Sequence, residues 1–278
     1  MSDQKRAVLQ LDPAGFNELR MCRTGPMVYN KFDIYVGGSL KQYGEFSVGE
    51  QEAFRNLVTP GSIVVEVGAN IGAHTVDLSR LVGPDGEVHA FEPQRIVFQT
   101  LCANLALNQC TNVFARQEAV GAELGTIVVP AVNPATRMNF GGVSLVNVAH
   151  GEPVRLVTLD SLDLPACHML KVDVEGMEVE VLKGAGQTIQ TYRPVMYLEN
   201  DREERSQELL SRVLDLDYAV YWHLPRIYRS DNFAGEKEDI FNGVVSVNIL
   251  CIPNEVGTNV VGLRRVTTAD DSWRVRPS

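Results

Sequence analysis

The chain has 278 residues, 45% hydrophobic and 22% charged, with 35 acidic against 25 basic side chains and a formal net charge of −10. These are globular proportions, long enough for one large α/β domain with short additions; the acidic balance argues against a nucleic-acid partner, because affinity for a polyanion rests on Lys and Arg. Cys22, Cys102, Cys110, Cys167 and Cys251 are odd in number, scattered and without a Cys-x-x-Cys pair, which excludes a disulfide framework and a zinc knuckle, and with no leader-like or membrane-length apolar run the reading is a soluble, cytoplasmic protein without membrane insertion.

Residues 1–43 read as an irregular N-terminal extension, 44–253 as the main domain and 254–278 as a tail. Ser47-Val48-Gly49-Glu50 has the form of a capping box and predicts a helix over 50–58, stopped by Thr59-Pro60-Gly61. A buried strand over 63–67 and a helix over 71–81 follow, then a Gly83-Pro84-Asp85-Gly86 turn and a second strand over 87–91. After Pro93, the spacing of Ile96, Phe98, Leu101, Leu105 and Leu107 predicts a helix, and 113–119 a third strand. Between 125 and 156 the helical period gives way to alternating Val and Ile around Gly141-Gly142, predicting an inserted β-ribbon with loops that contact a ligand. A short turn over 158–162, a strand over 168–172, a helix over 179–184, a strand over 195–198 and a helix over 203–214 continue the alternation. The last two strands, 218–222 and 244–250, are expected to pair antiparallel. Alternating strands and helices predict a doubly wound α/β fold around a seven-stranded mixed sheet.

The most informative stretch is Glu66-Val67-Gly68-Ala69-Asn70-Ile71-Gly72, with Glu92 twenty residues after Gly72. An apolar strand breaking into a glycine-bearing turn that opens a helix, followed by an acid at the end of the next strand, is the pattern of a nucleoside site. Glycine permits the sharp turn and the close approach of a ligand, and Glu92 is placed to accept hydrogen bonds from ribose hydroxyls. A dinucleotide site would carry further glycines where this chain has Asn70 and Ala73, so the turn suits a nucleoside without a pyrophosphate, of which S-adenosylmethionine is the common example.

Three runs, 66–72, Gly83 through the Phe91-Glu92-Pro93 segment, and Leu170-Lys171-Val172-Asp173-Val174-Glu175-Gly176-Met177-Glu178, resemble the FkbM family of S-adenosylmethionine-dependent methyltransferases. The resemblance extends over about 44–253. It implies a class I, Rossmann-like methyltransferase fold and O-methylation of a small-molecule or glycan hydroxyl, such as that of a sugar or polyketide. The cofactor-binding set it suggests is Glu45, Glu66, Gly68, Ala69, Asn70, Gly72, Thr75, Phe91, Glu92, Pro93, Glu118, Ala119 and Asp173.

Transfer from a sulfonium requires alignment of the acceptor and removal of its proton. Asp173, just after an apolar strand, is the leading candidate base; Glu175 and Glu199 orient the acceptor or serve as alternatives. His223, within the aromatic segment Tyr221 to Tyr228, is a further candidate. The same three carboxylates have the oxygen chemistry that Mg²⁺ requires, and Glu178 reads as a helix-start acid. A nucleic-acid methyltransferase is disfavoured, since Asp173-Val174-Glu175-Gly176 stands where an Asn-Pro-Pro-Tyr type of sequence would stack a flipped base. A peptide or protein methyltransferase and a non-catalytic S-adenosylmethionine-binding module are the alternatives, and a homo-oligomer is compatible with either.

Overall fold

The computed structural model describes residues 8–145, 148–257 and 260–274. Strands β1 (Val8–Gln10), β2 (Asn17–Cys22) and β3 (Gly25–Asn30) form an antiparallel sheet followed by helix α1 (Val36–Tyr43), so the N-terminal segment is more regular than its sequence suggests. The main domain then runs through α2 (Val48–Leu57), β4 (Ile63–Val67), α3 (Thr75–Val82), β5 (Glu87–Phe91), α4 (Arg95–Leu107) and β6 (Val113–Arg116). Strands β7 (Ala119–Val120), β8 (Gly125–Val129) and β9 (Glu152–Val157) make a small separate sheet. The chain continues through β10 (Met169–Val172), α5 (Glu178–Lys183), α6 (Gly186–Tyr192), β11 (Val195–Glu199), α7 (Glu203–Asp215), β12 (Tyr218–His223), β13 (Asn248–Pro253) and β14 (Arg264–Arg265).

Among the described residues the main sheet has the order β6-β5-β4-β10-β11-β13-β12-β14. Strands β6, β5, β4, β10 and β11 are parallel, and β13 runs antiparallel to both β11 and β12. This is the doubly wound, class I arrangement, with one difference in count. Eight strands replace the expected seven, because Arg264–Arg265 adds an antiparallel edge to β12. The order reverses between β4 and β10, and at such a switch point the carboxyl ends of the strands part to leave a crevice.

Several boundaries move for identifiable reasons. The helix expected from residue 71 starts at Thr75, because Asn70 (φ 50°) and Gly72 (φ 85°) adopt left-handed backbone that a right-handed helix excludes. At residue 47 the capping box is not made; the Ser47 hydroxyl donates instead to the Glu50 carboxylate at 2.7 Å. The expected third strand divides, β6 staying in the main sheet while β7 pairs with β9. The last long strand begins at Asn248, since 244–247 belong to a loop lining the cleft. The β-ribbon is present as β8 and β9, in antiparallel register from Gly125↔Leu156 to Val129↔Glu152.

Side chains alternate across the main sheet as strand geometry requires. Val65, Val67, Leu170, Val172, Met196 and Leu198 enter the core under α5 and α7, whereas Val64, Met169 and Tyr197 join Phe54 and Leu78 on the opposite face. A further cluster joins Met27, Tyr29 and Leu40 of the N-terminal segment to Ala69, Ile71 and Ala73 of the glycine loop and Leu101 of α4. Asn104, fully buried, fastens this junction: its Nδ2 donates to the Val28 and Ile71 carbonyls, and its Oδ1 accepts from the Val28 amide. The N-terminal segment also grips the insertion. Ile34 N–H donates to Met138 O, and the buried Asp33 carboxylate accepts from Gly37 N–H at 2.7 Å and Phe140 N–H at 3.3 Å.

Candidate active site

The carboxyl ends of β4, β5, β10 and β11 and the start of β13 enclose a cleft of about 450 Å³. At its β4 side the glycine loop is hung on the next strand, Gly68 N–H and Ala69 N–H both donating to Phe91 O at 2.9 Å. Gly68 has φ 86°, and a Cβ there would meet Asp173 O at 1.8 Å. The close approach that glycine allows at 68 is therefore between two strand ends of the chain itself. The loop's return to α3 places Glu92 beneath it: Oε2 accepts from Asn70 N–H at 3.0 Å and Oε1 from Gln94 N–H at 2.8 Å. Burial pushes the Glu92 carboxyl up to about 7, an effect these two amide bonds only partly offset.

The sheet supplies a charged floor. Lys171 and Glu66 are register partners on β10 and β4, on the face away from the α5–α7 core, and both are fully buried. Lys171 Nζ lies 3.3 Å from Asp173 Oδ2 and 3.8 Å from Glu66 Oε1, and the Thr75 hydroxyl donates to Glu66 Oε2 at 2.6 Å. Burial by itself would lower the Lys171 ammonium, but Asp173, Glu66 and Glu50 more than offset it, holding the amine above its ordinary range and cationic. Burial pushes Glu66 up. Burial also acts to raise Glu50, yet His74, with Nε2 3.3 Å from its Oε2, together with Lys171 and Ser47, holds it at about 2.

Opposite Glu92 stand Asp173, Glu175 and Glu199, with one carboxylate oxygen of each within 4.8 Å of the others. Glu175 occupies left-handed backbone (φ 55°), an unfavourable conformation for a side chain of its size, and is ion-paired with Arg202. Burial and the neighbouring Asp173 push its carboxyl up to about 7. Glu199 is raised well above the usual range, by burial first and then by Asp173 and Glu175.

Of the sequence-predicted residues, Glu66, Gly68, Ala69, Asn70, Glu92, Asp173, Glu175 and Glu199 line this cleft. The others lie elsewhere. Glu45 pairs with Arg23 and accepts from Phe233 N–H. Gly72 and Thr75 stand behind the loop, a Cβ at Gly72 coming within 2.8 Å of Leu101. Phe91 is buried in the core, and Pro93 borders a separate hollow with Arg95 and Glu152. Glu118 pairs with Arg155, and Ala119 is buried in β7. His223 shares a 2.8 Å hydrogen bond through Nδ1 with the Tyr197 hydroxyl, and burial lowers its pKa, which favours the neutral ring. Glu178, read as a helix-start acid, accepts from Val174 N–H and Gly176 N–H and so braces the turn that carries Glu175.

Sequence reasoning missed Lys171, His74, Glu50, Arg202 and Asn248, all of which line the cleft. A lysine inside the apolar strand Met169-Leu170-Lys171-Val172 was the available signal, since a buried cation needs a partner. The other four come from segments brought in by tertiary folding.

A sequence profile of the methyltransferase FkbM domain matches residues 66–221. The chain is 28% identical over 145 residues to "Methyltransferase 1" of Beauveria bassiana, covering 44% of this chain and 58% of that protein. It is also 28% identical over 150 residues to the hexuronic acid methyltransferase AglP of Haloferax volcanii, covering 51% and 59%. The match thus spans under two thirds of the length of these relatives. Among solved structures, the methyltransferase FkbM of Methylobacillus flagellatus aligns with a TM-score of 0.42 at 16% identity, over 73% of this chain and 50% of that one. With the profile spanning β4 through β12 and more than half of its residues, the chain belongs to the FkbM family of methyltransferases.

Proposed function

We propose that the chain is an S-adenosylmethionine-dependent O-methyltransferase acting on a hydroxyl of a small molecule or glycan. The observation that carries this reading is the pairing, across one cleft, of the Glu92-braced glycine loop with Asp173, whose side chain is 38% exposed and anchored by the buried Lys171. The residues fit the donor: each Glu92 oxygen retains acceptor capacity beyond its one backbone amide, enough for the two hydroxyls of a ribose. Bound there, S-adenosylmethionine supplies an already activated methyl group, which leaves alignment and proton removal to the protein. Asp173 accepts the proton of the acceptor hydroxyl. Lys171 holds that carboxylate at the floor, and Arg202 holds Glu175 at the rim. The hexuronic acid named for the Haloferax volcanii relative supports a glycan acceptor.

Calorimetric titration with S-adenosylmethionine, S-adenosylhomocysteine and NAD tests the donor; binding of NAD alone would remove the reading. Asp173, Glu175 and Glu199 are also the donor set at which Mg²⁺ would sit. Turnover unchanged by EDTA assigns them to proton transfer and acceptor contact, whereas loss restored by Mg²⁺ assigns them to the metal.

A further inference from the structure

Most polar groups in the cleft already have protein partners. Asp173 is held by Lys171, Glu175 by Arg202, and Glu92 by two backbone amides. Glu66 Oε1 and the His74 ring also lack hydrogen bonds but have ionic neighbours in Lys171 and Glu50; Glu199 and Asn248 have neither. Glu199 closes β11 and Asn248 opens β13, and the two are directly opposed in the antiparallel register of these strands. Opposed residues in such a ladder send their side chains to the same face, with Cα atoms about 4.5–5.5 Å apart. Both line the cleft, and Glu199 Oε2 and Asn248 Nδ2 are buried without a hydrogen-bond partner. Asn248 is only 4% exposed. Its neighbour, the Tyr197 hydroxyl, is hydrogen-bonded to His223 and lies close enough to the Asn248 side chain to engage one of its two amide hydrogens, which leaves the other for a ligand. Buried polar atoms are ordinarily paired, so an unpaired pair facing a cleft marks the position of groups that a ligand brings.

The chemistry of the pair narrows those groups. An amide N–H₂ is donor only, whereas a carboxyl oxygen accepts, and a hydroxyl can do both. Two hydroxyls on adjacent carbons therefore satisfy the fork in either protonation state of Glu199. The residues just before Asn248, Val244 and Val245, line the same cleft with Ile227 and offer an apolar wall for the C–H face of a ring.

We propose that Glu199 and Asn248 form an acceptor clamp for a vicinal diol, one side chain on each hydroxyl, which sets which hydroxyl meets Asp173. This inference rests on the reading of the cleft as a hydroxyl-methylating site. It is tested by ligand-observed NMR titration of the full chain, with and without S-adenosylhomocysteine, using methyl glucuronoside, trans-cyclohexane-1,2-diol, catechol and cyclohexanol. Diols are expected to bind at least about tenfold more tightly than cyclohexanol, the worth of one well-made hydrogen bond to a charged or buried group. Saturated diols binding above catechol would identify a sugar-like source, and the reverse order a phenolic one. Asn248→Ala should abolish the preference for diols while leaving S-adenosylhomocysteine affinity unchanged; Glu199→Gln, which preserves shape, should reduce it. Equal binding of mono-ol and diol, no diol binding, or an unchanged preference in folded Asn248→Ala would overturn the clamp. Diol binding without methyl transfer would instead overturn the assignment of the reaction.

Discussion

The two halves of the cleft are built on different terms. On the proposed donor side, Gly68, Ala69 and Glu92 come from one β-α-β unit, and their polar atoms are tied to nearby backbone: Gly68 and Ala69 to Phe91, Glu92 to Asn70 and Gln94. The proposed acceptor side gathers Asp173, Glu199, Asn248 and the 139–142 loop from four separate segments, and it carries the unpaired buried atoms of Glu199 and Asn248. A pre-satisfied half suits a ligand shared by many enzymes. A half with unmet hydrogen bonds discriminates, because the wrong acceptor leaves those atoms unpaired.

The sharpest way to separate the halves is Asp173→Asn, expected to lower turnover about 10²- to 10⁴-fold while S-adenosylmethionine affinity stays within about threefold. Stopped turnover assays beside calorimetry would read both, and parallel loss of binding would merge the two roles. Lys171→Met should cost about 3–5 kcal/mol of stability, since it strands Glu66 in the buried floor, and denaturant unfolding measures it. Rescue by the double variant Lys171→Met with Glu66→Leu would show that the charge, not the packing, was at fault.

Glu92 gives a smaller effect with a definite sign. With its carboxyl near 7, the ionised form that accepts ribose hydroxyls is depleted below that pH, so donor affinity should fall about tenfold from pH 8 to pH 6. Glu92→Gln should bind more weakly and flatten that profile. Stability of the free protein carries the opposite sign: between about 4.5 and 7 the native state keeps a proton that the unfolded chain has released, so this group's contribution falls as pH rises through that window. The smallest change is expected from His223→Gln, which loses the Tyr197 hydrogen bond at about 1 kcal/mol and leaves turnover within about threefold. A loss of turnover a hundredfold or more would return His223 to the catalytic set.

What could be read from the amino-acid order follows the same division. The glycine turn, Glu92 and the alternation of strands and helices rest on contacts within a few tens of residues, and those periodicities survive into the fold. Asn248 could not be found that way, since its meaning depends on register with Glu199, 49 positions earlier in the chain. Lys171 was partly legible as a misplaced cation, but only its alignment with Glu66 shows why it is tolerated. The helix α6, the edge strand β14 and the N-terminal sheet lack strong periodicity of their own and are fixed by packing on the main sheet.

Asp33 lies outside the segment matched by the family profile, as do Asn248 and Glu50, yet it fastens the loop over 138–140 that brings Asn139 and then Gly141 to the cleft. The matched segment supplies the glycine loop and the carboxylates of the cleft, and residues from both flanking segments complete its lining. Exchanging residues 8–44 and 224–248 between family members, while leaving the glycine loop untouched, is the graft by which this architecture would accept a new substrate.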